Sequence, residues 1–133
     1  MKEKVALQLQ TARENLIDAQ VLLDGRRYPG VLNRAYYAVF YAATAMLLQA
    51  GLEFESHYGV KIKFGELFVK SGRVPVRFGK ILTTAFDRRE DADYTPEARS
   101  AITQSVAEQG FERASEFVTM AERFIEGTGG PIE

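Results

Sequence analysis

The sequence predicts an all-α fold, an up-and-down four-helix bundle with one additional short helix, and three observations lead there. Apolar residues recur at helical spacing along most of the chain, and no segment sustains the alternation of a strand. Gly25, Pro29, Gly51, Pro75 and Pro96 punctuate the periodic stretches. At 133 residues the chain fits one domain whose core needs no crosslinks. A single helical domain is expected over residues 1–126, followed by a frayed, flexible tail, "GTGGPIE", at 127–133.

Residues 2–24 place Val5, Leu9, Ala12, Leu16, Ala19 and Leu23 on one stripe, which predicts an amphipathic helix. Gly25 suits its C-terminal cap, and Pro29 opens a second helix that runs to about residue 50 and stops at Gly51. That second helix is apolar nearly all round and should be the central, most buried one. "GLEFESHYG" connects it to a short helix over 59–70, closed by "KSG". Pro75 starts a fourth helix through about Arg89, with Phe78, Leu82, Ala85 and Phe86 facing inward. The stretch "EDADYTPEA" reads as the next junction: Thr95 caps, Pro96 takes the first helical position, and Glu97 sits beside the positive helix end. From there one helix is expected to run to about Ile125, with Ala114, Phe117, Ala121 and Phe124 inside.

Composition removes several kinds of chemistry. With no cysteine, thiol nucleophiles, thiolate metal sites and disulfides are excluded, and the lone histidine, His57, rules out a multi-histidine metal site within one subunit. No tight acidic cluster announces a magnesium site, so neither metal nor cofactor is expected. The charged N-terminal stretch reads as neither signal peptide nor membrane span, so a cytoplasmic protein with no membrane partner is expected. Net charge is −1, but residues 61–89 carry +6 and the rest −7. An ordinary solvated surface would account for this, and so would a phosphate-facing patch.

The stretch "NRAYYAVFYAA" at 33–43 places a cation, Arg34, within the apolar central helix. Seven residues turn a helix through about 700°, so Arg34 and Tyr41 share a face with Ala38 between them and Tyr37 at the flank. Tyr36 and Phe40 point elsewhere, as packing residues. A guanidinium keeps its charge, so Arg34 must meet a carboxylate, an interface, water or a phosphate. Further along, Arg89 and Asp93 can bridge if the helix persists that far, with Tyr94 packing at the junction. Alternatively, Arg88, Arg89 and Tyr94 extend a nucleotide- or RNA-facing surface.

Three blocks, "NRAYYAVFYAA" at 33–43, "SHYGVKIKFGELFVKSGRVP" at 56–75 and "RREDADY" at 88–94, together resemble the HEPN superfamily, and in particular its small stand-alone bacterial and archaeal members. The likeness covers nearly the whole chain. It implies a homodimeric helical bundle, and a minimal nucleotidyltransferase as partner in a module of toxin–antitoxin type. Many HEPN proteins are metal-independent ribonucleases that use an arginine followed four to seven residues later by a histidine. In that mechanism the imidazole handles protons while the arginine steadies the phosphate. Arg34 matches the arginine, but Tyr41 stands at the histidine position. A phenol with a pKa near ~10 is a poor general base at neutral pH. His57 matches a histidine of the family's second block, at a helix entry. The resemblance therefore implies nucleotide or RNA phosphate binding by Arg34, Tyr37, Tyr41, Arg88 and Arg89, with catalysis weak or absent. The rival expectation is an endoribonuclease using Arg34 with Tyr41 or, second, His57.

Overall fold

Helix α1 (Lys2–Asp24) turns back through three residues into α2 (Tyr28–Gln49), so the first two helices lie side by side. The structure, a computed structural model, describes residues 2–127, apart from the side chains of Asp91, Ala92 and Tyr94. The tail expected beyond Gly127, and the packing expected of Tyr94, lie outside the described residues. After α2 come α3 (His57–Phe64), which widens into a π-helical turn over Gly65–Val69, then α4 (Val76–Tyr94), α5 (Pro96–Ser100) and α6 (Gln104–Glu126). The architecture is all-α, with four long helices as expected, but with two short ones.

Twelve side chains of α2 are buried, and the helix packs against α1, α3, α4 and α6, which makes it the hub of the bundle. Alanines 35, 38, 42, 43 and 45 of α2 are all buried, and small side chains let its neighbours come close. On α1 the stripe Val5, Ala12, Leu16 and Ala19 is buried, as its spacing predicts. An aromatic cluster of Phe64, Phe68, Phe117 and Phe124 fills the space between the π turn and α6, with ring centroids 5.1–5.3 Å apart along its contacts. Of the inward set expected on α4, Phe78 and Leu82 are buried, whereas Ala85 and Phe86 are only half-buried.

Three boundaries and one turn differ from the expectation, each for a local reason. The turn after α1 puts Arg26, not Gly25, in the left-handed region (φ 60°), and Arg27 N–H reaches back to Leu22 O at 2.8 Å. The third helix begins earlier, at His57, because the Ser56 hydroxyl accepts from Gly59 N at 2.9 Å. The fourth persists through "EDADY" to Tyr94, where the residue before Pro96 cannot stay helical. The last helix is broken at residues 101–103. Thr95 caps α5 by accepting from Ala98 N at 3.2 Å, but Thr103 then caps a new helix by accepting from Val106 N, also at 3.2 Å.

Candidate functional site

The α1–α2 pairing determines where Arg34 goes. Its guanidinium meets three neutral contacts: Nη1 donates to Asn15 Oδ1 at 3.1 Å, while Nε and Nη2 donate to Asn33 Oδ1 at 3.1 and 2.6 Å. Asn15 is 6% exposed and is anchored by donating Nδ2–H to Thr11 O at 2.9 Å. Among the described residues no carboxylate pairs with Arg34. The cation lies over the Tyr37 ring at 5.1 Å, and Tyr37 in turn meets Tyr41 at 6.2 Å. Arg34, Tyr37 and Tyr41 thus form the ladder that helical spacing predicts, above a fully buried Ala38.

A second guanidinium approaches the same tyrosines from α4. Arg89 donates Nη1–H to Asp93 Oδ2 at 3.2 Å and lies 5.1 Å from the Tyr36 ring and 5.9 Å from Tyr37. Its side chain is 15% exposed, and its buried Nε–H meets no acceptor among the described residues. Asn33 links the two cations. Its Oδ1 faces Arg34, and its Nδ2 points at the Asp93 carboxylate at 3.4 and 3.5 Å. That arrangement fixes the amide orientation, because only this flip serves both neighbours.

His57, at the start of α3, closes the cluster. Its ring stacks on Phe40 at 4.2 Å and meets Tyr37 edge-on at 5.8 Å, and its Nδ1 is 2.8 Å from the Tyr36 hydroxyl. Burial, and then the positive charge of Arg89, holds His57 below the ordinary histidine range, so it is neutral at pH 7. Burial also pushes the Tyr36 phenol well above the usual tyrosine value, with Arg89 opposing the shift. Tyr36 is 1% exposed and His57 is the one hydrogen-bond partner of its hydroxyl among the described residues. A buried hydroxyl that kept its proton unpaired would be penalised, so the balance assigns Tyr36 O–H as donor to Nδ1. The imidazole proton then sits on Nε2. In this state the cluster is rich in donors and holds no unpaired imidazole base.

The structure brings Arg34, Tyr37, Tyr41, Arg89 and His57 together. It does not bring Arg88, which turns to the other side of α4 and lies 3.5 Å from Gln109 Oε1 on α6. Nor does the basic segment form one patch: Lys63 pairs with Glu66 at 3.5 Å, Arg77 with Glu116 at 2.8 Å, and Lys61 lies over the Phe86 ring at 4.5 Å. Sequence reasoning missed Asn15 and Asn33 as ligands of Arg34, and treated Tyr36 as packing alone. One signal was available, since Asn15 lies beside the Ala12–Leu16–Ala19 stripe, where an amide must find partners. Among the described residues no group of three or more His, Asp or Glu side chains could hold a metal ion, and no helix is long and apolar enough to cross a membrane.

A family profile described as "HEPN domain" matches residues 5–124. A "UPF0332 protein" of Thermotoga maritima is 36% identical over 92% of this chain and 86% of its own length. A Methanocaldococcus jannaschii protein named "Putative toxin" is 35% identical over 89% of this chain and 86% of its own length. A second protein of that name from the same organism is 24% identical over 93% of this chain and 83% of its own length.

Proposed function

The chain belongs to the HEPN domain family, and from that premise we propose that it is the HEPN member of a toxin–antitoxin-like module that holds a nucleotide or RNA phosphate on Arg34. It works in the cytoplasm as a homodimer, beside a minimal nucleotidyltransferase, and cleaves RNA slowly or not at all. One observation supports this reading: Arg34 is oriented by two neutral amides and, among the described residues, by no carboxylate, so its charge stays available to an anion. Tyr37 and Tyr41 add phenol donors along the same ladder, and Arg89 adds a second cation. Among the described residues the imidazole offers no free acceptor to the ribose 2′-hydroxyl, because Tyr36 occupies Nδ1 of His57. The names of relatives that are called toxins fit membership of such a module.

A second copy would meet the subunit at its remaining apolar surface. Twelve side chains of α2 are already buried within the subunit, and Tyr37, Phe40 and Tyr41 are half-buried. Leu7, Ile17 and Val21 of α1, each 64% exposed, are apolar side chains on one helix that a partner could cover.

The test is cleavage of a fluorogenic RNA in the presence of chelator. Wild type should be slow or silent, and Tyr41→His should raise the rate by about 10²- to 10⁴-fold. The gain should vanish when Arg34→Ala is added. Fast wild-type cleavage abolished by His57→Gln would replace this reading with the rival one, a metal-independent endoribonuclease. That rival draws on a specific observation, the imidazole edge-on to the same Tyr37 ring that carries Arg34.

A further inference from the structure

On the far side of α2 from Arg34, a cavity of about 150 Å³ lies where α4 and α6 cross α2. Its floor is apolar, formed by Leu32, Ala35 and Val39 of α2 with Ile81 of α4 and Ala114 of α6. Four cations, Arg77, Lys80, Arg88 and Arg113, also line it, and among the described residues no carboxylate does. Arg77 is paired with Glu116 at 2.8 Å and Arg88 leans on the neutral Gln109 amide, while Lys80 and Arg113 show no acidic partner among the described residues. Two polar groups, Thr84 and Gln109, also reach the cavity.

These features constrain an occupant. A space of about 150 Å³ with an apolar lining takes one ring system, comparable to cavities that hold benzene, and is too small for a whole drug-sized molecule. A single carboxylate would leave most of these cations unanswered, whereas a phosphate or diphosphate answers several at once. Thr84 and Gln109 would be poor company for an alkyl chain, yet both can bond ring heteroatoms, and a Gln side chain is suited to an adenine edge. We propose that the α4–α6 cavity is a site for a nucleoside phosphate, with the base on the apolar floor and the phosphate on Lys80, Arg88 and Arg113. The site is separate from the Arg34 cluster and does not depend on phosphate binding there. It also gives Arg88 a role that its neighbour Arg89 does not share, because the two adjacent side chains serve opposite sides of α4.

The test uses the full chain carrying Arg34→Ala, so that the cluster across α2 is disabled and the two readings stand or fall apart. Isothermal titration with 5′-AMP, inorganic pyrophosphate and hexanoate provides the readout. AMP should bind with one site per chain. Ala85→Leu at the half-buried edge of the cavity should weaken AMP by about tenfold or more while leaving pyrophosphate binding in place. The paired change Lys80→Ala and Arg113→Ala should weaken both ligands. If Ala85→Leu disturbs folding, as seen by thermal melting, Thr84→Leu at an exposed cavity wall fills the same space. A 5′-phosphorylated tetranucleotide is a further arm: binding with AMP-like loss in the filled variant places a strand end in the site, and AMP alone places a free nucleotide there. The proposal is overturned if AMP is indifferent to filling the cavity, if hexanoate displaces AMP and binds more tightly, or if filling the cavity turns a dimer into a monomer without affecting AMP.

Discussion

Arg13 and Arg34 both reach between helices in this bundle, and their surroundings differ in one respect. Arg13 of α1 meets the carboxylate of Glu122 on α6 with both prongs of its fork, Nε lying 3.1 Å from Oε2 and Nη2 bonding Oε1. Arg34 of α2 meets two asparagine oxygens. The first charge is neutralised where it stands and serves to hold α6 against α1. The second is oriented just as firmly but keeps its charge. A side chain held by amides is thus placed without being satisfied, and that separates a binding group from a strut.

The strongest way to break the comparison is to give Arg34 the kind of partner that Arg13 has. Asn15→Asp puts a carboxylate beside Nη1, and it should weaken binding of a short RNA oligonucleotide by about 10- to 100-fold, the scale of one charge-assisted contact. Arg34→Ala should cause a similar loss while changing stability by about 1 kcal/mol. Fluorescence anisotropy and thermal melting of both variants check this. Full affinity in Asn15→Asp would mean that the phosphate sits elsewhere.

Glu122→Gln tests the other arginine. The pair is well exposed, at 45% and 31% of its side chains, so solvent screens it. Its loss should cost no more than about 1 kcal/mol in urea denaturation and leave RNA affinity alone.

His57 supplies a pH-dependent test of the cluster. Its folded-state pKa is depressed, so the unfolded chain binds more protons as pH falls through the ordinary histidine value near ~6.5. Stability contributed by the neutral imidazole is therefore present above that value and declines below it, until the folded-state group also protonates. A series of melts across this range should show the decline in wild type and lose it in His57→Gln. An unchanged slope would remove Arg89 and burial as the cause.

The smallest effect concerns a turn that no ligand touches. Arg26 holds φ 60°, a conformation that suits glycine, so Arg26→Gly should gain about 0.5–1 kcal/mol in denaturant titration with no effect on RNA binding.

Much of the bundle was legible because it follows from periodicity. The α1 stripe, the burial of α2 and the inner face of α6 all depend on spacing that a helix imposes. The Arg34–Tyr37–Tyr41 ladder was legible for the same reason. Boundaries were less so, because they are decided by competition: Thr103 interrupts a plausible helix, and the Arg89–Asp93 pair supports α4 through residues that look like a loop. The partners of Arg34 were hidden because Asn15 belongs to another helix, and the handedness of the α1–α2 crossing chooses which residue faces which. The same holds for Arg88 and Arg89. Adjacent in sequence and about 100° apart on a helix, they were read as one surface, but each follows its own side of α4.

The central position of α2 also has a consequence for synthesis. A chain leaving the ribosome completes α1 and α2 first, and the two can pair at once through their three-residue turn. The part of α2 that packs on α6 cannot be covered until the buried Phe117, Val118 and Ala121 of α6 emerge, some seventy residues later. At about 5–20 residues per second, that leaves an oily surface uncovered for several seconds. Newly made chains are therefore most prone to cling to one another, or to a chaperone, in the interval between the second helix and the last.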